Sequence, residues 1–265
     1  MSRYPSRIVC LTEETTETLY LLGEGDRVVG VSGYTVRPPE ARQKPRVSAF
    51  ISAKFDRIDA LKPDLVLGFS DLQADIASAL IKAGVQVTVF NQRSVPEIFS
   101  MLFQVAAMVD QTEQGKAMLE RMRADIEHIR QASAAWAKRP KVYFEEWDEP
   151  RISAIRWVSE LIGIAGGQDI FPDLALQPMG KDRILPNDDR ILAAAPDIII
   201  GSWCGKKFRP ERVAARAGWA EVPAVRNGQL FEIKSADILQ PGPAALTDGL
   251  RQLHQIMAQW AQRHG

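Results

Sequence analysis

Short apolar runs punctuate the chain and alternate with stretches whose apolar positions recur every three or four residues. Residues 7–11 (Arg-Ile-Val-Cys-Leu) predict a buried strand, and 14–23 a helix ending at Gly23. Residues 27–31 predict a second strand, followed by a loop around Arg37-Pro38-Pro39, where adjacent prolines forbid helix. A short helix over 54–61 stops near Pro63, and strand 64–69 follows. Helix 72–83, strand 85–90 and helix 95–109 complete the first part. Strand and helix alternate through short connections, the pattern of a mostly parallel sheet covered on both faces.

Residues 112–138 differ. They contain no proline and a single glycine, Gly115, while Leu119, Met122, Ile126 and Ile129 keep a helical apolar spacing. Such a helix is about 40 Å long at about 1.5 Å per residue. It ends before Pro140 and predicts a stiff connector rather than a flexible tether. Beyond it the plan resumes with strand 141–145, helix 156–165 before Gly166-Gly167, helix 210–217, strand 229–233 and a terminal helix over 244–263. The expected division is an N-terminal α/β lobe over 1–110, a connecting helix over 111–139 and a C-terminal α/β lobe over 140–265.

The two lobes share an internal repeat. Residues 56–68 read D-R-I-D-A-L-K-P-D-L-V-L-G, and residues 189–201 read D-R-I-L-A-A-A-P-D-I-I-I-G. A short helix running into a buried strand thus occurs once in each half. The fold class is α/β, with two Rossmann-like lobes of mostly parallel strands joined by one long rigid helix. Paired lobes of this kind leave a cleft, the usual place for a ligand.

In parallel sheets, ligands lie outside the carboxyl ends of the strands. The residues expected there include Gly33 and Tyr34, Ser70 and Asp71, and Arg93 in the first lobe. In the second they include Glu146, Trp147 and Asp148, then Trp203, Cys204, Lys206 and Lys207, then Lys234, Ser235 and Asp237. Trp147 and Trp203, at strand ends, offer rigid apolar faces suited to a flat organic ligand. Trp157 and Trp219 lie beside helices and read as core, whereas Phe50 and Phe69 fit cleft positions.

Charge narrows the partners. The chain of 265 residues has 33 basic and 33 acidic side chains, so nothing draws it to nucleic acid. Its two cysteines are far apart, which excludes a disulfide framework. No apolar run reaches the roughly 18 residues a membrane-spanning helix needs, and no signal peptide is visible. The expected location is the cytoplasm if the chain is complete and the periplasm if a signal has been removed.

Catalytic chemistry is hard to assemble. His128, His254 and His264 all fall on predicted helices, away from the expected mouth. Thr12-Glu13-Glu14-Thr15-Thr16 stands where a glycine-rich phosphate loop would be. Glu13, Glu14, Glu145 and Glu146 are candidates for an acid/base pair or a hard-metal site if the lobes face each other. Cys204, beside Lys206 and Lys207, is a candidate reactive thiol, whereas Cys10 reads as a buried strand residue.

Taken together, Arg7-Ile-Val with Thr16-Glu17, the Gly33-Tyr34 to Pro38-Pro39 loop, Leu61-Lys-Pro-Asp-Leu-Val, the 112–138 helix, Gly166-Gly-Gln-Asp-Ile-Phe171 and Ala195-Pro-Asp-Ile-Ile-Ile carry a resemblance. In this order and spacing they resemble the ABC-transporter substrate-binding proteins for vitamin B12, ferric siderophores and heme, most closely the B12 branch. The resemblance spans nearly the whole chain and implies the class III periplasmic-binding-protein fold. It implies that aromatic loop residues hold the corrin, at Tyr34, Phe50 and Phe69, with Asp237 near the vitamin. It also implies that one acidic residue per lobe, Asp56 and Asp189, docks onto a dimeric ABC permease. With no loop histidine and Tyr34 the only loop tyrosine, heme is the less favoured ligand.

The expected function is therefore capture of a corrinoid or an iron-chelator ligand by a monomeric, non-enzymatic binding protein with no cofactor of its own. In that reading Trp147 and Trp203 stack on the ligand, while Arg93, Lys206, Lys207 and the loop carboxylates orient its polar groups. The alternative is a cytoplasmic metal- or tetrapyrrole-handling enzyme or chaperone on the same scaffold, using Glu13, Glu146 and Cys204.

Overall fold

The structure is a computed structural model that describes residues 3–264. The chain divides into two compact units. One comprises Met1–Gln92, Pro96–Arg121 and Pro241–Pro243; the other comprises Arg93–Val95, Met122–Gln240 and Ala244–Gly265. No helix among the described residues is long and apolar enough to cross a membrane.

In chain order come β1 (Ile8–Cys10), α1 (Glu13–Leu21), β2 (Val28–Ser32), β3 (Arg46–Ala49), β4 (Ser52–Ala53), α2 (Phe55–Ala60), β5 (Leu65–Phe69), α3 (Ala74–Lys82), β6 (Val87–Phe90) and α4 (Val95–Met108). The first unit's sheet has the order β4-β3-β2-β1-β5-β6, parallel except for the antiparallel edge strand β4. Val9, Leu11, Val47, Ile58, Val66, Ile76 and Leu80 pack together around it. The short β3–β4 hairpin has no counterpart in the sequence expectation. Its strands are too brief and too polar to show a strand period.

The helix α5 (Thr112–Ala134) follows, shorter than the predicted span to 138. Leu119, Met122, Ile126 and Ile129 are buried, as the spacing requires. Next come β7 (Lys141–Asp148), β8 (Arg151–Ser153), α6 (Arg156–Ile164), β9 (Gln168–Asp169), α7 (Pro172–Ala175), α8 (Asp189–Ala194), β10 (Ile198–Gly201), α9 (Pro210–Ala214), α10 (Pro223–Arg226), β11 (Leu230–Glu232), α11 (Ser235–Ile238) and α12 (Leu250–His264). The second sheet has the order β11-β10-β7-β8, with β9 also paired to β7 and β8 antiparallel.

The acidic stretch expected as a loop after residue 145 is instead the end of β7, which turns back into β8. A π-helical turn over Ala245–Gly249 leads into α12. A side chain at Gly249 would bring its Cβ within 2.4 Å of the Asp237 carbonyl oxygen, so this tight approach requires glycine.

The repeat performs the same structural task in both units. Lys62 and Ala195, each just before the repeat proline, adopt left-handed φ values of 46° and 48° and end the short helices α2 and α8. The proline disfavours continued helix at the residue before it. The following aspartate then secures the amino end of the neighbouring strand. Asp64 Oδ1 accepts from the Arg7 backbone N–H at 2.9 Å, and Asp197 Oδ2 accepts from that of Lys141 at 2.8 Å. In return Asp64 N donates to Arg7 O and Asp197 N to Lys141 O. Burial works against the Asp64 carboxylate, but the hydrogen bonds from Ser6 and Arg7 hold its pKa below the usual carboxylate range.

Candidate functional site

The carboxyl ends of the first unit's strands carry Tyr34, Phe50, Phe69 and the acidic start of α1. Tyr34 is 56% exposed on the loop after β2. Its backbone N–H donates to Ser32 Oγ at 3.2 Å, while Gly33 N donates to Ser48 O at 2.7 Å. Phe50, in the β3–β4 turn, is half-buried and left-handed, with φ 46°. Phe69 is buried at the end of β5.

The start of α1 is unusual. Glu13 and Glu14 open α1 three residues after the end of β1, and both are buried. Burial raises the Glu13 pKa to about 6, partly offset by its own backbone N–H and the Ser32 hydroxyl. Glu14 is 1% exposed. Burial pushes its pKa up to about 8, the Thr12 hydroxyl lowers it and the charge of Glu13 raises it further. Thr12 Oγ1 donates to Glu14 Oε1 at 2.6 Å, whereas Glu14 Oε2 is buried without a partner. The Pro241–Pro243 segment packs here as well. A Cβ on Gly242 would lie 2.4 Å from that of Glu14, and Gln92 Nε2 donates to Pro241 O at 3.1 Å.

In the second unit the expected loop residues prove to be strand residues with partners. Glu145 is fully buried and accepts from Arg216 Nη1 at 2.7 Å and Nη2 at 2.8 Å, from Trp203 Nε1 at 3.1 Å and from Tyr143 Oη at 3.1 Å. Burial would lower the Arg216 pKa, but the hydrogen bonds and charge of Glu145 outweigh it and raise it. Burial, with the charge of Glu145, pushes the Tyr143 hydroxyl well above its ordinary value. Glu146 is taken up by the buried Arg183, at 2.6 and 3.2 Å. These two carboxylates are therefore half of two structural ion pairs, and the acid/base or hard-metal role expected of them is corrected accordingly. Among the described residues no three His, Cys, Asp or Glu side chains group to hold a metal ion.

Trp203 is also corrected. It is 4% exposed, its ring edge-on to Phe208 at 5.0 Å between centroids, so the core uses its stacking area. Trp157 and Trp219 are core residues, each with its indole N–H satisfied, by Ile238 O and Asp188 Oδ2. Trp147 is different. It is only half-buried, donates to Glu149 O at 2.8 Å, and has the Lys206 ammonium 4.1 Å from its ring centroid. Lys206 also pairs with Asp148 and lies 5.2 Å from the Trp203 ring. Trp147, Asp148 and Lys206 thus form one cation–π and ion-pair group at the end of β7.

The remaining candidates scatter. Lys207 and Cys204 are exposed on the loop after β10. Arg93 Nη1 donates to Pro178 O at 3.1 Å. Asp237 falls on α11 rather than in a loop and accepts from Gln252 Nε2 at 3.2 Å. Asp56 and Asp189 are exposed in the first turns of α2 and α8. Neither is the capping residue, a position held by Lys54 and Asp188. The histidines described on α12 are stacked, His254 on Trp136 and His264 on Trp260.

Sequence reasoning passed over Gln73 and Arg183. The first looks like an ordinary helix-start residue, and the second's partner Glu146 is distant in the chain. No local pattern marks either.

The chain is 24% identical, over 96% of its length, to an uncharacterized ABC transporter substrate-binding lipoprotein of Bacillus subtilis, of which the match covers 80%. It is 26% identical, over 91% of its length, to a vitamin B12-binding protein of Vibrio cholerae, covering 85% of that protein. Among solved structures, the periplasmic heme-binding protein BhuT in complex with two hemes superposes with a TM-score of 0.82 at 25% identity, covering 96% of this chain and 98% of that one. The family described as periplasmic binding protein matches residues 8–236. The chain belongs to the periplasmic binding protein family, and its work is binding rather than catalysis.

Proposed function

We propose that the chain captures a flat, metal-bearing macrocycle of the corrinoid type, or an iron–chelator complex, and delivers it to an ABC permease. One observation carries the ligand class. At the end of β7, Trp147 is only half-buried, with a lysine ammonium over its ring and a carboxylate beside it. Exposed Tyr34 and the half-buried Phe50 add aromatic area at the strand ends of the first unit. Aromatic faces with peripheral charges of both signs suit a flat ligand with a polar rim. The names of the relatives, which bind vitamin B12 or heme, support the same class. Their names also place such proteins in the periplasm or on a lipid anchor, and we assign this chain to that side of the membrane.

Tryptophan fluorescence tests the reading directly. Titration with cyanocobalamin, cobinamide and ferric siderophores is expected to quench emission saturably for at least one ligand class. Trp147→Leu is expected to weaken that binding about tenfold or more, the usual effect of losing an aromatic anchor. A folded wild-type protein whose emission none of these ligands changes, and for which calorimetry detects no heat of binding, overturns it.

The exposed Asp56 and Asp189 are assigned to permease contact. Contacts of this kind steer association and weaken with salt, since screening acts over about 8 Å at physiological ionic strength. The double variant Asp56→Ala, Asp189→Ala is expected to keep wild-type ligand affinity and to impair uptake through the reconstituted transporter. Loss of ligand affinity in that variant instead puts these residues in the binding site or the fold.

A further inference from the structure

Two residues at the ligand-facing end of the first unit hold backbone conformations that their side chains disfavour. Phe50 has φ 46° and Ser70 has φ 65°. Neither is glycine, and each flanks an aromatic position: Phe50 itself, and Phe69 just before Ser70. Something must hold both segments in place.

The structure offers one side chain that reaches both. Gln73 is fully buried. Its Oε1 accepts from the Phe69 backbone N–H at 2.9 Å, and its Nε2 donates to the Phe50 carbonyl oxygen at 2.7 Å. One amide therefore ties the end of β5 to the β3–β4 turn. Backbone bonds fasten the same corner: Ser70 N donates to Phe90 O at 2.7 Å, and Gln73 N donates to Ser70 O at 3.2 Å. The Ser70 hydroxyl accepts from Leu72 N at 3.3 Å. Space is also matched, since a Cβ on Gly68 would come within 2.7 Å of Gln73 Oε1. A side-chain amide suits this corner because it supplies a donor and an acceptor on two separate atoms without a charge.

We propose that Gln73 is the positioning residue of the ligand site in this unit, holding the Phe50 turn and the Phe69 strand end in a binding-competent arrangement. The proposal rests on the reading that Phe50 contacts ligand. It is distinct from contact, because Gln73 itself is buried beneath the two segments it joins.

Gln73→Glu separates its two bonds. A carboxylate still accepts from Phe69 N–H but sets a second oxygen against the Phe50 carbonyl. Protonation restores a donor, and a fully buried carboxyl facing a carbonyl favours its protonated form. Cyanocobalamin affinity, relative to wild type at the same pH, is thus expected to fall about tenfold at pH 8 and to recover at pH 5. Gln73→Leu is expected to weaken binding at both pH values, with no recovery. Amide hydrogen exchange over residues 49–53 is expected to accelerate in Gln73→Leu at both pH values and in Gln73→Glu at pH 8 only.

Wild-type affinity in both variants at both pH values overturns the proposal, and so does unchanged exchange over 49–53. If the wild-type protein binds neither corrinoid nor ferric chelate, the functional reading falls by itself, and the exchange pattern still decides whether Gln73 holds the turn. Where Gln73→Leu does not fold, the pH-reversible behaviour of Gln73→Glu carries the test.

Discussion

Glu14→Gln is expected to stabilise the protein at pH 8 and to change its stability little at pH 5. Glu14 is buried at the start of α1, with one carboxyl oxygen bonded to Thr12 and the other without a partner. Burial is the chief cause that lifts its pKa from an ordinary 4.5 to about 8. Between those two values the native state holds a proton that the unfolded chain has released. Stability contributed by this group is therefore full below about pH 4.5 and is lost as pH rises through the folded value.

At pH 8 the cost of keeping the group buried is on the order of 3–5 kcal/mol. The amide variant avoids that cost, keeps the oxygen that accepts from Thr12 and exchanges the unpartnered oxygen for an NH₂ that itself lacks an acceptor. That exchange costs about 1–2 kcal/mol. A net gain of roughly 1–4 kcal/mol at pH 8 remains. Glu13→Gln is expected to behave alike over a narrower window, from about 4.5 to about 6. Urea unfolding at pH 5, 6.5 and 8 checks this. A Glu14→Gln effect of the same size at all three values shows that Glu14 does not titrate as described.

Arg216→Leu is expected to destabilise the second unit by about 3–5 kcal/mol. Removing the guanidinium strands the Glu145 carboxylate in the core with only Tyr143 and Trp203 as donors. A buried ion pair adds little net stability against an apolar replacement, but breaking one from a single side leaves an uncompensated charge. The double variant Glu145→Gln, Arg216→Leu is thus expected to recover much of the loss. Denaturant unfolding of both singles and the double gives the coupling. Simple additivity of the two single effects contradicts this account.

The same ion pairs explain what the sequence concealed. The alternation of strands and helices was legible, because buried parallel strands read as apolar runs bounded by glycine and proline. The repeat was legible too, down to the Pro-Asp element that both units use. The end of β7 was not. Glu146, Trp147 and Asp148 read as an acidic loop after strand 141–145, yet the partners of Glu145, Glu146 and Asp148, namely Arg216, Arg183 and Lys206, lie between 37 and 71 residues further along the chain. No local pattern could show that a run of carboxylates would be neutralised by three separate cations.

Trp203 was misread for a related reason. A tryptophan at a strand end is accessible or buried according to what packs over it, and here Phe208, on the loop that follows β10, does so. The candidate site was accordingly visible as a set of loops but not as a set of surfaces. Tyr34 is exposed and Phe50 and Trp147 are half-buried, whereas Phe69 and Trp203 are buried. Gln73 was invisible because its importance lies in two backbone partners, and a sequence does not display those.

The duplicated Pro-Asp element divides each unit into an anchored edge and an adjustable one. Asp64 and Asp197 clamp the amino ends of adjacent strands by the same bonds. Five residues beyond Gly68 and Gly201, by contrast, stand Gln73 and Lys206. The first spans a corner with a neutral amide, and the second lays a charge over an indole ring. The two copies have kept their carpentry and diverged in their tooling. Strand register is thus held at one rim of each unit by the same bonds, while the residues that follow the strands at the other rim differ in charge and in what they touch.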